Sequence, residues 1–416
     1  YKRLPGSGLG PAKQLVRYQF HSAFHGGGWR AVTSMIGWLC LPLFFLTTIV
    51  SALLPAPAED ITFFDFVDPC LTPLGPLPNA TARMLSEARK LSGDSHGGNH
   101  VLDNISLAFG SIACTFLVLG NAKTSWVMSL KDEDEGFGVA DARKFFAAIP
   151  LLVVVNISFN LSYNAMNNAF PSAACQMNLM FGGTQLNGAF FNLADAIAIV
   201  VFTPIFESCV YPLIARLKGS PVRLGQKIVA GIVVAALGNL VAAYMEVSRR
   251  AAPFLCDEGF SKCAPGYIQG KQGGLVSQGT RMKDISAFWI FVPFAMIGIS
   301  EILVNPCMYC FAYEAAPPQV RSLLQAVNLF FMGSVSNAFT SVVSKVTFPD
   351  DLDAGHLEYY YFVNVVLAFL GIMCYFAITR CCGNGKSIRK DVREEELDDE
   401  ALDDEAKNES EDAKDE

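Results

Sequence analysis

Long apolar runs separated by polar segments dominate the chain. A helix that crosses the hydrocarbon core of a bilayer needs about 20 apolar residues, and eight runs come close to or exceed that length. Lipid offers exposed backbone no hydrogen-bond partner, so a spanning segment forms a helix, which satisfies its own backbone. The pattern therefore predicts an all-α polytopic membrane protein whose eight transmembrane helices cover residues 31–55, 105–130, 145–168, 189–214, 228–245, 285–312, 323–344 and 359–379.

The composition agrees with this class of protein. Apolar residues make up 52% of the 416 residues and charged residues 17%, whereas a soluble domain carries about 25% charged residues. The formal net charge is −8, but residues 394–416 hold 14 acids and two lysines, so the remaining residues carry a net charge of +4. This remainder contains no basic field or base-reading motif, and we expect no nucleic-acid partner.

Lysine and arginine are unevenly distributed between the two sides of the predicted membrane. If residue 1 is cytosolic, the cytosolic segments hold 18 Lys and Arg in 81 residues, and the opposite segments hold 10 in 122. Cytosolic loops are enriched in positive charge, so the bias predicts that both termini of this segment are cytosolic. We expect a multi-pass protein surrounded by the lipids of the plasma or vacuolar membrane.

Two further features suit the predicted outer side. Asn79 and Asn104 each begin an Asn-x-Ser/Thr sequence, which is a glycosylation acceptor. Cys256 and Cys263 lie in the outer loop 246–284, where an oxidising environment allows a disulfide to persist. A Cys256–Cys263 bond and two unpaired thiols are both compatible with the sequence.

Two ionisable residues stand out inside the predicted spans. Such groups are costly in lipid and by default indicate a function. Glu301 lies well inside the run 285–312, and Asp195 lies near the middle of the run 189–214. Either carboxyl group faces a cavity and takes up a proton or a cation, or it hydrogen-bonds to a neighbouring helix and is purely structural.

A stripe of asparagines runs along one of the spans. Asn156, Asn160, Asn164 and then Asn167 or Asn168 recur at helical spacing. A polar stripe on an apolar helix either holds helices together or lines a wet pathway, and the sequence leaves both open.

The signatures of common enzymes are missing from the sequence. The chain has no Walker loop, no His-Glu-x-x-His and no Gly-x-Ser-x-Gly motif. Its five histidines all fall outside the predicted spans, so they offer no clustered intramembrane metal site. We expect neither an enzyme, nor a metal site, nor an organic cofactor.

Three blocks of sequence together indicate a family. They read Pro204-x-x-Glu207-x-x-x-Tyr211-Pro212, then Glu246-x-x-Arg249, and last Phe311-Ala-Tyr313-Glu314-Ala-Ala-Pro317-Pro-Gln-Val-Arg321-Ser322. With these blocks, residues 142–382 resemble the C-terminal six-helix half of the proton-dependent oligopeptide transporter family, within the major facilitator superfamily.

This resemblance implies a division of the chain into four parts. They are a cytosolic linker (1–30), an inserted transmembrane helix pair (31–130) with its outer loop (56–104), a C-terminal six-helix transporter bundle (142–380) and an acidic, disordered cytosolic tail (381–416). The chain begins at Tyr1 with a linker-like segment, and the family's first six helices are missing from it. We therefore expect the native protein to extend upstream and to supply the other half of the transporter.

The resemblance also implies roles for single residues. Glu301 matches a glutamate that in the family meets the amino terminus of a peptide and couples transport to protons, and Tyr163 matches an aromatic position. Asp195 replaces a substrate-contacting asparagine, and Asn328 replaces a tryptophan that walls the pocket. We expect these four residues, together with Asn164 of the stripe, to form the substrate and proton site.

The implied function is proton-coupled symport of di- and tripeptides or related small nitrogenous solutes, by alternating access and with protons as the coupling ion. Two alternatives remain open. The first is transport of nitrate or of an organic solute within the same family. The second is a membrane receptor or scaffold that transports nothing.

Overall fold

The structure is a computed structural model, and its helices fill most of the chain that it describes. The described residues are 9–53, 100–129, 137–256, 260–264, 267–269, 275–277, 280–349, 352 and 355–381. Within them, the α-helices are α1 (Leu9–Phe24), α2 (Gly28–Leu53), α3 (His100–Asn121), α4 (Val139–Ala174), α5 (Leu193–Ile205), α6 (Tyr211–Lys218), α7 (Leu224–Ala251), α8 (Phe291–Glu314), α9 (Arg321–Leu329), α10 (Ser336–Thr347) and α11 (Leu357–Cys381).

Eight helical segments of the described chain are long and apolar enough to cross a membrane. They are Gly28–Val50, Asn104–Asn121, Val139–Ala174, Gly188–Lys218, Leu224–Ala251, Ala287–Glu314, Pro318–Thr347 and Leu357–Arg380. The predicted all-α fold with eight transmembrane helices is confirmed. Two antiparallel hairpins lie between spans, β1 (Met180–Phe181) with β2 (Thr184–Gln185) and β3 (Tyr267–Gln269) with β4 (Leu275–Ser277).

Two of the eight spans contain a π-helical turn. In the span Gly188–Lys218, the turn Phe206–Val210 joins α5 to α6 and follows Pro204, which cannot donate a backbone hydrogen bond. In the span Pro318–Thr347, the turn Phe330–Val335 joins α9 to α10. A π turn widens the helix by one residue and often lies near a functional site.

The helix pair, α2 and α3, packs together through small residues. A Cβ atom on Gly120 of α3 would lie 2.5 Å from the backbone nitrogen of Ser34, so only glycine allows this approach of the two backbones. The Ser34 hydroxyl donates to Asn121 Oδ1 at 3.1 Å. The pair then meets α10 through Phe44 and Phe339, whose ring centroids are 5.0 Å apart.

The sequence placed the end of the second span too late. It predicted a helix over 105–130, whereas α3 ends at Asn121 and a separate 3₁₀ turn follows at Thr124–Trp126. Asn121 donates its side-chain amide to the carbonyl oxygen of Leu117 at 2.8 Å, and Trp126 donates to that of Gly120 at 3.0 Å. These two bonds occupy carbonyls at the end of the helix, which otherwise lack partners.

A helix that the sequence did not predict, α1, lies in the segment read as a linker. It turns Leu15, Tyr18 and Gln19 inward and exposes Lys13 and Arg17. Gln19 donates its amide to the carbonyl oxygen of Ala31 in α2 at 3.0 Å. This bond and the buried apolar contacts hold α1 against the start of α2.

A buried ion pair fixes the end of α7. Arg249 donates two hydrogen bonds to Glu246, from Nε to Oε2 at 2.9 Å and from Nη2 to Oε1 at 2.8 Å, and both side chains are fully buried. Arg249 Nη2 also donates to the carbonyl oxygen of Leu352 at 2.7 Å. The Glu-x-x-Arg block therefore connects the end of α7 to the segment just before α11.

The predicted Cys256–Cys263 disulfide is wrong. Cys263 is bonded to Cys175, which follows directly after α4, with the two Cα atoms 5.5 Å apart. Cys256 is disulfide-bonded as well, but not to Cys263. The two loop cysteines are close in sequence, but folding of the loop against the end of α4 brings Cys263 to a partner 88 residues away.

One experiment tests both the Cys175–Cys263 bond and the predicted orientation of the chain in the membrane. Without reduction, a protease digest should contain a peptide with Cys175 linked to one with Cys263. Replacing Cys175 by serine frees the half-buried Cys263 thiol, and a membrane-impermeant maleimide should then label intact cells that express the variant but not those with the unchanged protein. If the protein is in the plasma membrane, labelling that requires permeabilised cells would reverse the orientation. A Cys256–Cys263 peptide would contradict the pairing.

Some predictions fall on parts that the structure does not describe. Asn79, most of the outer loop 56–104 and the tail after Cys381 lie outside the described residues. Asn104 is exposed in α3. However, the Ser106 hydroxyl of its acceptor sequence is buried and donates to the carbonyl oxygen of Phe44 at 3.3 Å. Glycosylation at Asn79 and Asn104 stays a prediction.

Candidate functional site

Glu301 lies near the middle of the span Ala287–Glu314 and is half-buried. Its carboxylate accepts one hydrogen bond, from Asn305 Nδ2 to Oε1 at 3.0 Å. The two residues are one helical turn apart on α8, so they share a face. A carboxylate at this depth with one neutral partner has a strong tendency to bind a proton or a cation.

Asp195 approaches the same face of α8 from α5. It lies in the first turn of α5, seven residues after the start of its span, and not near the middle of the span as the sequence analysis stated. A Cβ atom on Gly298 would lie 2.7 Å from Asp195 Oδ1 and 2.8 Å from its carbonyl oxygen. Gly298 thus allows Asp195 to touch the α8 backbone one turn before Glu301.

The side chain of Asp195 is only partly satisfied. Its Oδ1 atom is buried and accepts no hydrogen bond from the described part of the chain. Most buried polar atoms have a partner, and an unpaired one is costly in a poorly hydrated site. The position therefore favours a proton or an approaching cation that satisfies this oxygen.

Tyr163 of α4 completes a group of three. The charges of Asp195 and Glu301 act on each other, and both act on the Tyr163 hydroxyl. The hydroxyl also interacts with the side chain of Asn167, and the ring packs against Phe159 with centroids 6.0 Å apart. Two carboxyl groups and a phenol from three different helices thus lie within electrostatic range of one another.

Asn328 is hydrogen-bonded between two helices, and its expected place in the substrate site stays a prediction. Its side chain is fully buried between α9 and α4, where its Oδ1 accepts a hydrogen bond from Asn156 Nδ2 at 2.8 Å. An amide inside a membrane bundle is stabilised by such an interhelical bond. This pairing joins α4 to α9.

Asn164 has a similar place between helices. It is buried, and its Nδ2 donates to Thr340 Oγ1 of α10 at 2.9 Å. Asn160, also buried, donates to the backbone oxygen of Asn156 at 2.8 Å. The buried part of the asparagine stripe therefore holds α4 against α9 and α10, whereas its end at Asn167 is exposed.

Sequence reasoning missed two residues of the site, which are Gly298 and Asn305, and it named Asn167 only as a possible end of the asparagine stripe. The signal for Asn305 was present, because a residue four positions after Glu301 shares its helix face. The exposed Asn167 and the close approach at Gly298 depend on how α4, α5 and α8 pack, and single-helix patterns do not contain that information.

The comparisons with known proteins agree with one another. A family model described as the POT family matches residues 137–354, which is more than half of the chain. The chain belongs to the POT family. The match begins just before α4 and includes Tyr163, Asp195 and Glu301, whereas the helix pair and α11 lie outside it.

Individual relatives match a similarly long part of the chain. Protein NRT1/PTR FAMILY 1.1 of Arabidopsis thaliana is 23% identical over 62% of this chain and 42% of its own length. Solute carrier family 15 member 5 of Homo sapiens is 25% identical over 67% of this chain and 48% of its own length. The chain thus spans less than half the length of these curated POT-family relatives.

Solved structures of the family also match. The crystal structure of an auto-inhibited POT family peptide transporter covers 92% of this chain and 58% of its own, with a TM-score of 0.48 and 13% identity. The helical composition and the eight spans are those of a polytopic membrane protein, as the sequence predicted.

Proposed function

We propose that the complete protein is a proton-coupled symporter of di- and tripeptides or related small nitrogenous solutes, working by alternating access. The observation that carries the proposal is the position of Glu301, at mid-span beside Asp195 and Tyr163, in a chain of the POT family. Intramembrane carboxyl groups mark proton relays and ion pathways in transporters. Protons are the proposed coupling ion, and no other cofactor is needed.

In this proposal Glu301 is the exchangeable carboxyl group. When ionised, it binds the ammonium group of a substrate through a charge-assisted hydrogen bond, which is among the strongest polar contacts. When protonated, it releases that ammonium group. Asn305 holds the carboxylate in place through its bond to Oε1, and Tyr163 forms part of the wall.

Asp195 sets the charge of the same site. Two ionised carboxylates in a poorly hydrated cleft repel each other, so the pair is best satisfied by a proton or by a cationic side chain on the substrate. This arrangement favours cationic over neutral peptides. It disfavours nitrate and other anions, which both carboxylates would repel.

The substrate in transporters of this type binds near the membrane midplane, between two repeated halves. We infer that Tyr163, Asp195 and Glu301 form one wall of the site and that a further six-helix half supplies the other. We also propose cytosolic termini and a plasma or vacuolar membrane, for which the distribution of lysine and arginine is the support.

Uptake by the full-length protein in sealed vesicles tests the proposal. A labelled dipeptide should accumulate when the outside is one pH unit more acidic, and accumulation should stop when a protonophore removes the gradient. Competition by nitrate but not by dipeptides would support the anion alternative. A correctly inserted protein that moves neither solute would support the receptor or scaffold alternative.

A further inference from the structure

A cavity of about 340 Å³ lies between α1 and three membrane-spanning helices, away from the group around Glu301. Its walls come from α1, from α2, from the start of α4 and from α9. The cavity volume falls in the range of about 300–1,000 Å³ that small-molecule sites occupy. Because α1 precedes α2, the cavity lies on the side predicted to be cytosolic.

The walls of this cavity are almost entirely apolar. They include Ala12, Leu15, Val16 and Phe20 of α1 and Trp38 of α2. Among the described residues of the wall only Gln19 is polar, and its amide donates to the carbonyl oxygen of Ala31. The cavity thus suits a chain of methylene groups, which needs no hydrogen-bond partner.

Two cations lie on the same helix face as the exposed part of the cavity wall. Lys13 and Arg17 are exposed on the same face of α1 as the exposed wall residues Val16 and Phe20, since these positions are three or four residues apart. Residues 9–53 contain no aspartate or glutamate. No acidic side chain of α1 or α2 therefore neutralises these cations.

Arg30, at the start of α2, adds an unsatisfied donor. Its guanidinium lies over the ring of Trp29, 5.2 Å from the centroid, and its Nη1 atom is buried with no hydrogen-bond partner in the described chain. Guanidinium groups pair with phosphate through parallel hydrogen bonds. The α1–α2 junction therefore has the donor chemistry that a phosphate group needs.

We propose that the cavity holds an acyl chain of one anionic phospholipid whose phosphate is bound by the cations of α1 and the start of α2. An interfacial helix with apolar and basic residues on one face is typical of binding to anionic lipid. The cytosolic leaflet supplies such lipids and attracts basic segments near the membrane surface. The proposal rests on the membrane location of the protein and not on transport.

The site also explains why the segment 9–24 is a helix and not an extended linker. The inward face of α1 contacts protein, while its outward face presents Val16, Phe20 and two cations to the membrane surface. A bound lipid would fill the space that α1 leaves beside α4 and α9. It would thereby hold α1 against two helices of the transporter bundle.

Native mass spectrometry tests the proposal on the purified full-length protein. Phosphatidylglycerol and phosphatidylcholine with the same acyl chains are added together in detergent, and one phosphatidylglycerol should stay bound in preference. Changing Lys13 and Arg17 together to glutamine should lower its affinity about thirtyfold, since each cation near the surface contributes about fivefold. The matched control changes Arg216 and Lys218, two cations at the end of α6, to glutamine and should bind lipid as before.

A second variant separates the acyl chain from the headgroup. Ala12→Trp places an indole ring in the cavity and should remove both lipids, while soluble glycerol phosphate should not displace bound phosphatidylglycerol. Fluorescence quenching detects a bound lipid directly and leaves the cavity unfilled. With every other tryptophan of the full-length protein, including Trp29, Trp126 and Trp289, changed to phenylalanine, brominated phosphatidylglycerol should quench the fluorescence of Trp38 saturably and at lower mole fraction than brominated phosphatidylcholine.

Three results would overturn the proposal. The first is equal binding of the two lipids by the unchanged protein, and the second is equal loss of phosphatidylglycerol in the control variant. The third is an Ala12→Trp protein that keeps its melting temperature and its bound lipid. If Ala12→Trp does not fold, equal and unsaturable quenching of Trp38 by both brominated lipids would overturn the proposal instead.

Discussion

Replacing Glu301 by glutamine in the full-length protein should abolish proton-driven accumulation while leaving folding and surface expression intact. Glutamine keeps the size of the side chain and accepts the bond from Asn305, but it cannot bind or release a proton. A gradient of one pH unit corresponds to about 1.4 kcal/mol, which allows about tenfold accumulation if one proton accompanies each solute. The variant should bring the internal and external solute concentrations only to equality.

The measurement is uptake of a labelled dipeptide with and without a pH gradient, followed by exchange of internal for external dipeptide without any gradient. Exchange should survive in the variant at a raised dipeptide concentration, which offsets the lost charge-assisted bond to the ammonium group, because exchange does not require net proton movement. The control is Asp284→Asn, which removes an exposed carboxylate outside the spans and should accumulate dipeptide normally. Unchanged accumulation in the Glu301 variant would make this carboxyl group merely structural.

Replacing Asp195 by asparagine should shift the substrate preference from cationic to neutral dipeptides, with transport retained. The change removes one negative charge from the cleft but keeps the shape of the side chain against Gly298. A lysine side chain on the substrate then loses a charge-assisted hydrogen bond, which contributes about 1.5–3 kcal/mol. The ratio of uptake of lysine-containing to alanine-only dipeptides should fall by about tenfold or more.

This ratio is measured at equal external concentrations and at several pH values. Asp284→Asn again serves as the control, since it removes the same charge from an exposed position outside the spans and should leave the ratio unchanged. If the ratio is the same in the Asp195 variant and the unchanged protein, Asp195 does not contact substrate, and its assignment to the pocket is wrong.

The spans could be predicted from the sequence because a run of about 20 apolar residues can be recognised without knowing which helices pack against it. The run 323–344, for example, lies within the observed span Pro318–Thr347. The ends of the helices were harder to predict. Trp126 and Val127 extended the apolar run of the second span, although the helix itself stops at Asn121.

The helix α1 was missed because the criterion was crossing a membrane. Lys13 and Arg17 interrupt its apolar residues, so the segment is too polar for a transmembrane helix. Its mixture of apolar and basic residues is also not typical of a simple linker. Its inward face is recognisable only once α2 is beside it, where Gln19 finds Ala31.

The partners of single side chains were the least predictable part. The sequence located Glu301 and Asp195 as unusual, and the family resemblance brought them together with Tyr163. It could not show that Asn328 would pair with Asn156, 172 residues away, or that Cys263 would find Cys175. Both pairings depend on how separate parts of the chain pack together. The roles of the site residues in transport stay predictions.

The two π-helical turns change how this chain can be aligned with others. Each residue of an α-helix advances by about 100°, so one extra residue in Phe330–Val335 rotates everything in α10 by that angle relative to an uninterrupted helix. Assignments counted from Pro204 to Asp195 or from Arg321 to Asn328 cross neither turn. A relative without the turn has one residue fewer at Phe206–Val210 or Phe330–Val335. An alignment that crosses either turn without a one-residue gap would therefore place each later residue on the wrong face of the helix.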